Sequence, residues 1–264
     1  MTGVLSIGLA GSVDHGLLRA LGPRLEGAGF RSLWLNDNPA GDALAGLAVV
    51  AEVTSTLTLA TGVLPFDRRP APEIVASIEH HRLPLDRLVV GVGSGGGSRV
   101  GAVAQGIAHL QGALDTTIVL GALGPQMRSL GARMAEGLLF SWLSPEAAAT
   151  AVSDSRQAAE EVGRTYPWTM LYARTAVDLD ARAHLDEETA RYAGYPSYAA
   201  NFARLGLAPA DTTIGPDDVG SRVDSYLDVV DELVLRAISR SGTLDEILRF
   251  VEHPELAERL RTSG

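Results

Sequence analysis

Asp86-Arg-Leu-Val-Val-Gly-Val-Gly-Ser-Gly-Gly-Gly-Ser-Arg99 is the stretch on which the fold turns. Leu88–Gly93 is an almost unbroken apolar run, the pattern of a strand covered on both faces, as in parallel sheets flanked by helices. Glycines follow, and Val100–Gln111 then carries helical periodicity, so the stretch is a strand-to-helix turn. Within it Gly91, Gly93 and Gly96 satisfy GxGxxG, and a dinucleotide-binding fold has to be weighed first. That fold needs an acid near the end of the next strand to hold a ribose. The next strand, Thr116–Leu120, runs into Val119-Leu120-Gly121 and offers none. The unit is also the fourth along the chain, not the first. A serine-hydrolase elbow fails as well, because Ser94 follows Val92 where GxSxG requires glycine. What remains is a loop of small residues that lets a ring or phosphate approach the backbone, or simply a tight turn.

On either side of that stretch, strands are predicted at Val4–Ala10, Ser32–Asn36, Leu57–Gly62, Gly137–Phe140, Trp168–Ala173 and Glu232–Leu235. Helices are predicted between them at Gly16–Ala28, Asp42–Thr54, Pro72–Arg82, Pro125–Ala135 and Pro145–Val162. Strict alternation implies a parallel sheet, and eight units favour a closed (β/α)8 TIM barrel over an open sheet, an α/β fold. One interval, Thr175 to Asp231, is too long for a plain crossover. It holds a polar helix around Asp180–Tyr192, then Tyr195-Pro-Ser-Tyr198 and a second helix ending near Leu207. It reads as a helical excursion over the barrel mouth between strands seven and eight. The tail from Thr243 reads as closing helices. No low-complexity linker interrupts the chain, so one domain spanning 1–264 is expected.

Composition narrows the chemistry. A formal net charge of −10 makes duplex nucleic acid and anionic membranes poor partners. The absence of cysteine excludes disulfides, thiolate nucleophiles and Cys-ligated metals. All 22 basic residues are arginine, which excludes a Schiff-base lysine and a Walker A loop. No stretch reaches about 18 uninterrupted apolar residues, and Met1–Ala10 lacks a basic region followed by a long apolar run. A cytoplasmic protein is expected.

Barrels of this kind bind ligands at the C-terminal ends of their strands. That rule selects Ser12, Asp14 and His15 after strand one, and Asn36, Asp37 and Asn38 after strand two. Strand three ends in Thr61-Gly62-Val63, followed by Phe66, Asp67 and Arg68; strand four ends in Gly93 to Arg99. After strand five comes Gly121-Ala-Leu-Gly-Pro125, and after strand six Ser141 and Trp142. His15, Asp37 and Asp67 are the candidate proton carriers, although a histidine at a loop is more often a capping residue. His80 and His81 read as partners of a helix C-terminus, and no zinc-ligand spacing appears, so no metal is expected. Trp142 and Phe66 stack on a planar ring or plug the core. Tyr192, Tyr195, Tyr198 and Phe202 form an apolar lid that excludes water or pack the excursion onto the barrel.

Taken together, the segments resemble the luciferase-like family of F420-dependent reductases and FMN-dependent monooxygenases. The pieces that carry the resemblance are Gly29-Phe-Arg-Ser-Leu-Trp-Leu-Asn-Asp37, Leu57-Thr-Leu-Ala-Thr-Gly-Val-Leu-Pro65 and Asp86 to Ser94. Leu120-Gly-Ala-Leu-Gly-Pro-Gln126, Glu136-Gly-Leu-Leu-Phe-Ser-Trp-Leu-Ser-Pro145 and Tyr198-Ala-Ala-Asn-Phe-Ala-Arg-Leu-Gly206 continue it. The resemblance implies F420, with FMN as the alternative cofactor, and a small-molecule substrate. It implies a non-proline cis peptide at Gly62-Val63, after Thr61, behind the ring. It places Asp37 beside the ring, Ser94 and Gly95 near the ribityl chain, and Leu123-Gly124-Pro125 at the cofactor phosphate, with Arg128 as a further charge. It also gives the only ground for expecting a homodimer.

The departures from that family matter as much. Sugar-phosphate dehydrogenases of the family carry a catalytic histidine where this chain has Asn38, and a glutamate where it has Gly96. An amide takes no proton near neutral pH and glycine gives none, so that acid/base pair is not inherited. The implied activity is F420-dependent hydride transfer. The alternatives are an FMN-dependent monooxygenase and a flavin-binding or catalytically inactive barrel.

Overall fold

The computed structural model describes residues 3–96 and 99–262. Its first half runs β1 (Val4–Ala10), α1 (His15–Ala28), β2 (Ser32–Asn36), α2 (Ala43–Ala51), β3 (Thr58–Thr61), β4 (Leu64–Pro65), α3 (Ala71–His81) and β5 (Leu88–Gly93). There follow α4 (Val100–Ala113), β6 (Thr117–Gly121), α5 (Pro125–Met134), β7 (Gly137–Ser141), α6 (Pro145–Glu160) and β8 (Trp168–Thr175). The remainder is α7 (Arg182–Ala193), α8 (Pro196–Leu205), α9 (Val219–Leu227), β9 (Glu232–Ala237), α10 (Leu244–Val251) and α11 (Pro254–Thr262).

All the strand pairings are parallel, in the order β3-β2-β1-β9-β8-β7-β6-β5-β4, and β3 pairs again with β5. That last pairing closes the cylinder. Because β3 and β4 are two halves of one strand, the barrel has eight strand positions, as the alternation predicted. Closure is tight at the seam. A Cβ on Gly91 would sit 1.9 Å from the Thr61 carbonyl oxygen, so only glycine lets β5 approach β3 this closely.

The strands read as continuous apolar runs because both their faces are buried. In β2, Leu33 and Leu35 join the layer between sheet and helices, while Trp34 points into the barrel. The barrel interior is filled by Trp34, Ala60, Val119, Leu139, Met170 and Tyr172, with Val234. Its lower end holds the buried carboxylate of Glu232, which accepts from Ser32 Oγ (2.6 Å), Trp34 Nε1 (2.8 Å) and Trp168 Nε1 (3.3 Å). These donors satisfy a charge that would otherwise be costly to bury.

Three elements differ from the sequence expectation. Strand three breaks at Gly62-Val63 and resumes at Leu64, a bulge that apolar composition alone conceals. Strand seven, β8, continues to Thr175 rather than stopping at Ala173. The excursion contains α7 and α8 as expected, and α9 then supplies the crossover helix that leads into β9.

Candidate active site

A cavity of about 860 Å³ opens at the C-terminal end of the strands, within the range of cofactor pockets. Its floor on one side is the strand-three bulge. The Gly62-Val63 peptide there is cis. Asn36, at the end of β2, donates from Nδ2 to the Gly62 carbonyl at 2.7 Å, and Gly62 N–H donates to Leu35 O at 2.8 Å. The bulge is therefore held by the neighbouring strand. Behind it, fully buried Thr61 exchanges hydrogen bonds with the Gly91 backbone, both at 2.9 Å, and takes no place on the cavity wall.

Val63 projects between two glycines. A Cβ on Gly93 would lie 2.7 Å from Val63 Cγ2, and one on Gly121 would lie 2.8 Å from Val63 Cγ1. The small residues of β5 and β6 thus make room for the Val63 side chain and keep the surface beside it backbone-lined. Ser94, Gly95 and Gly96 continue this wall, and Gly96 N–H donates to Asp67 Oδ2 at 2.7 Å. Asp67 fastens the glycine loop and does not line the cavity. Gly97 and Ser98 of the same loop lie outside the described residues.

Along the wall the cavity reaches Leu123 and Gly124, where α5 begins. Gly124 is the N-cap, and no side chain caps the helix. The first N–H groups of α5 are consequently available to an anion. Arg128 does not serve them. It is buried and turned away, donating to Leu123 O at 2.8 Å and lying over Phe140, and burial pushes its pKa down to about 10. Pro125 likewise sits outside this wall. Arg204 of α8 does border the cavity and donates to Asn201 Oδ1 at 2.7 Å, while Asn201 Nδ2 is buried without a partner among the described residues.

Asp37 lines the cavity at the end of β2, but it is engaged from behind. Its carboxylate faces Arg68 (3.0 Å) and Arg69 (3.4 Å) and accepts from Ala43 N–H (3.3 Å). Burial raises its pKa above the usual aspartate value, against the lowering by Ala43 N–H and the two arginines. Asn38 and His15 are placed elsewhere. Asn38 folds back onto Ala40 N–H at 2.9 Å, and His15 is exposed at the start of α1. Neither lines the cavity, so the expectation of Asn38 as a site residue and of His15 as a proton carrier there is corrected. Phe66 also leaves the site, its ring packed against Gly106 of α4.

The far wall and roof come from β7, β8 and the excursion. Tyr192, Tyr195 and Tyr198 line the cavity, while Phe202 packs edge-on against Trp142 at 5.7 Å. The tyrosines are therefore roof and Phe202 is anchor. Trp142 is buried and has φ +57°, a left-handed conformation that costs a bulky residue about 1–3 kcal/mol. It stacks under the guanidinium of Arg174 at 4.1 Å. Arg174, on the cavity wall at the end of β8, is the residue that sequence reasoning missed. Its signal was an arginine two positions after Tyr172 in an apolar strand, which only an inward-facing strand end explains. No group of acids and histidines that could hold a metal occurs among the described residues, and no helix there is long and apolar enough to cross a membrane.

Comparison with known proteins places this geometry. A search of curated sequences finds no match. The fold is similar to the coenzyme F420-dependent tetrahydromethanopterin reductase of Methanopyrus kandleri (15% identity, 98% of this chain and 100% of that one, TM-score 0.73). It is also similar to a monooxygenase of Streptomyces bottropensis (18%, 98% and 99%, TM-score 0.75). A third similar structure is an F420-dependent secondary alcohol dehydrogenase in complex with an F420-acetone adduct (12%, 97% and 99%, TM-score 0.75). The profile of the luciferase-like monooxygenases matches residues 104–259, more than half of the chain. The chain belongs to the luciferase-like monooxygenase family, a family of oxidoreductases.

Proposed function

We propose that this chain binds F420 in the barrel mouth and transfers a hydride to or from a small organic substrate. The observation that carries the reading is one continuous cavity running from the Val63 bulge to the uncapped N-terminus of α5. Its backbone-lined wall suits a flat ring, and its far end suits a phosphate. The deazaflavin, when bound, supplies the redox chemistry, and the protein contributes position, electrostatics and exclusion of water. Val63 and Gly62 would back the ring, Asp37 would stand beside it, and Ser94 and Gly95 would hold the ribityl chain. Leu123 and Gly124 would receive the phosphate, with Arg204 rather than Arg128 as the nearby charge. Tyr192, Tyr195 and Tyr198 close the roof against water.

FMN is the second reading, because its phosphate meets the same amides and the S. bottropensis relative is a monooxygenase. Titrating the purified chain with F420 and, separately, with FMN, following fluorescence quenching, decides between them. The expected result is saturable quenching with F420 and much weaker quenching with FMN. The reverse order assigns FMN, and quenching with neither removes the reading.

A further inference from the structure

Barrel strand seven, β8, stands opposite strand three, which carries the bulge, since the two are four places apart in a ring of eight. A ring backed by Val63 therefore presents its free face toward β8. The cavity wall on that side is built around a cation. Arg174 is 6% exposed and fixed in one pose. Its Nη1 donates to Ser141 Oγ at 2.6 Å and its Nε to Glu188 at 3.3 Å. Trp142 and Tyr192 hold the guanidinium plane at 4.1 and 4.6 Å. Nη2 has no partner among the described residues, which leaves its two N–H groups for a ligand. Beside it, the hydroxyl of buried Tyr172 also lacks a partner among the described residues.

Glu188 is shared between Arg174 and Arg191, the latter at 3.5 Å, so two cations face one carboxylate. A buried guanidinium in a water-poor, aromatic wall is matched by an oxyanion, and its planar donors suit a carboxylate. The tyrosines of the roof suit an apolar, planar body attached to it. We propose that Arg174 determines specificity, and that the substrate is a small unsaturated or aromatic carboxylate. Its carboxylate meets Arg174, and its body lies under Tyr192 and Tyr198. The inference rests on the proposed cofactor reading for the position of the ring, but the carboxylate subsite is testable without it.

The test is calorimetric titration of the full chain with benzoate and cinnamate against their neutral amides. It is run on the protein alone and on protein saturated with whichever of F420 or FMN it binds. The carboxylates are expected to bind about tenfold or more tightly than the amides, and Arg174→Gln to bring that ratio close to one. Glu188→Gln, which removes the internal competitor for Arg174, is expected to tighten carboxylate binding severalfold. This opposite sign separates recognition from a merely structural ion pair, for which both variants would weaken binding. Equal binding of acids and amides, no binding of either acid, or weakening by Glu188→Gln overturns the proposal. Failure of the cofactor reading shows separately, as protein that quenches neither F420 nor FMN while the carboxylate preference persists.

Discussion

Glu26 shows how much one side chain can fix at the surface. Its carboxylate accepts from Ser55 N–H (2.8 Å), Thr56 N–H (2.5 Å), Leu57 N–H (2.9 Å) and Thr56 Oγ1 (2.8 Å), pinning the loop that feeds β3. The backbone bond from Thr56 leads the effects that lower its pKa from 4.5 to about 2. The folded carboxylate releases its proton more readily than the unfolded one. Its stabilising contribution is therefore complete above about pH 4.5 and disappears as the pH falls toward 2. Urea unfolding of Glu26→Gln should show lower stability at pH 7 and a shallower loss of stability between those two values. A parallel displacement of the whole pH profile would contradict that assignment. At this scale the sequence was partly legible. Asp37 and the Leu123-Gly124 pair were found from strand ends, and they do line the cavity. Arg174 directly follows the expected end of strand seven at Ala173, where the strand-end rule also points, but the candidates cover only the ends of strands one to six. Arg128, expected at the phosphate, does not line the cavity while Arg204 does, because helix rotation and not sequence distance decides which arginine faces the mouth.

Among the elements, the strands were legible because helices on one face and the barrel interior on the other leave them no polar side. The break in strand three was legible only through the family resemblance, which implied a cis peptide at Gly62-Val63, since Gly62-Val-Leu-Pro65 is as apolar as what precedes it. The bulge arises from hydrogen bonds with β2 that no local pattern records. The seam between β3 and β5 carries a sharp prediction. Gly91→Ala drives a methyl into the Thr61 carbonyl at 1.9 Å, and backbone cannot yield as a side-chain tip would. Destabilisation by about 3 kcal/mol is expected, at the upper end for overpacking. Chemical denaturation measures it, and a loss below about 1 kcal/mol would mean that the seam is looser than described.

For the molecule as a whole, the count of βα units decided closure, and closure in turn decides function by bringing eight loops around one mouth. The absence of lysine and cysteine had already narrowed what that mouth can do, leaving backbone amides and arginines as its anion receptors. The proposed cofactor is a phosphate-bearing ring that would lie across the mouth with its phosphate on α5, and Gly124→Asp tests that placement. The site has open space for a side chain and an extended backbone, and aspartate is a good N-cap, so the fold should keep or slightly gain stability. The new carboxylate would occupy the amides and repel a phosphate. Quenching titrations of parent and variant with FMN and with riboflavin, and with F420 and its phosphate-free deazaflavin core, isolate that one contact. The expected result is a loss of about tenfold or more for the phosphate-bearing member of each pair and none for the other. Equal affinity of parent and variant for FMN and F420 would contradict it.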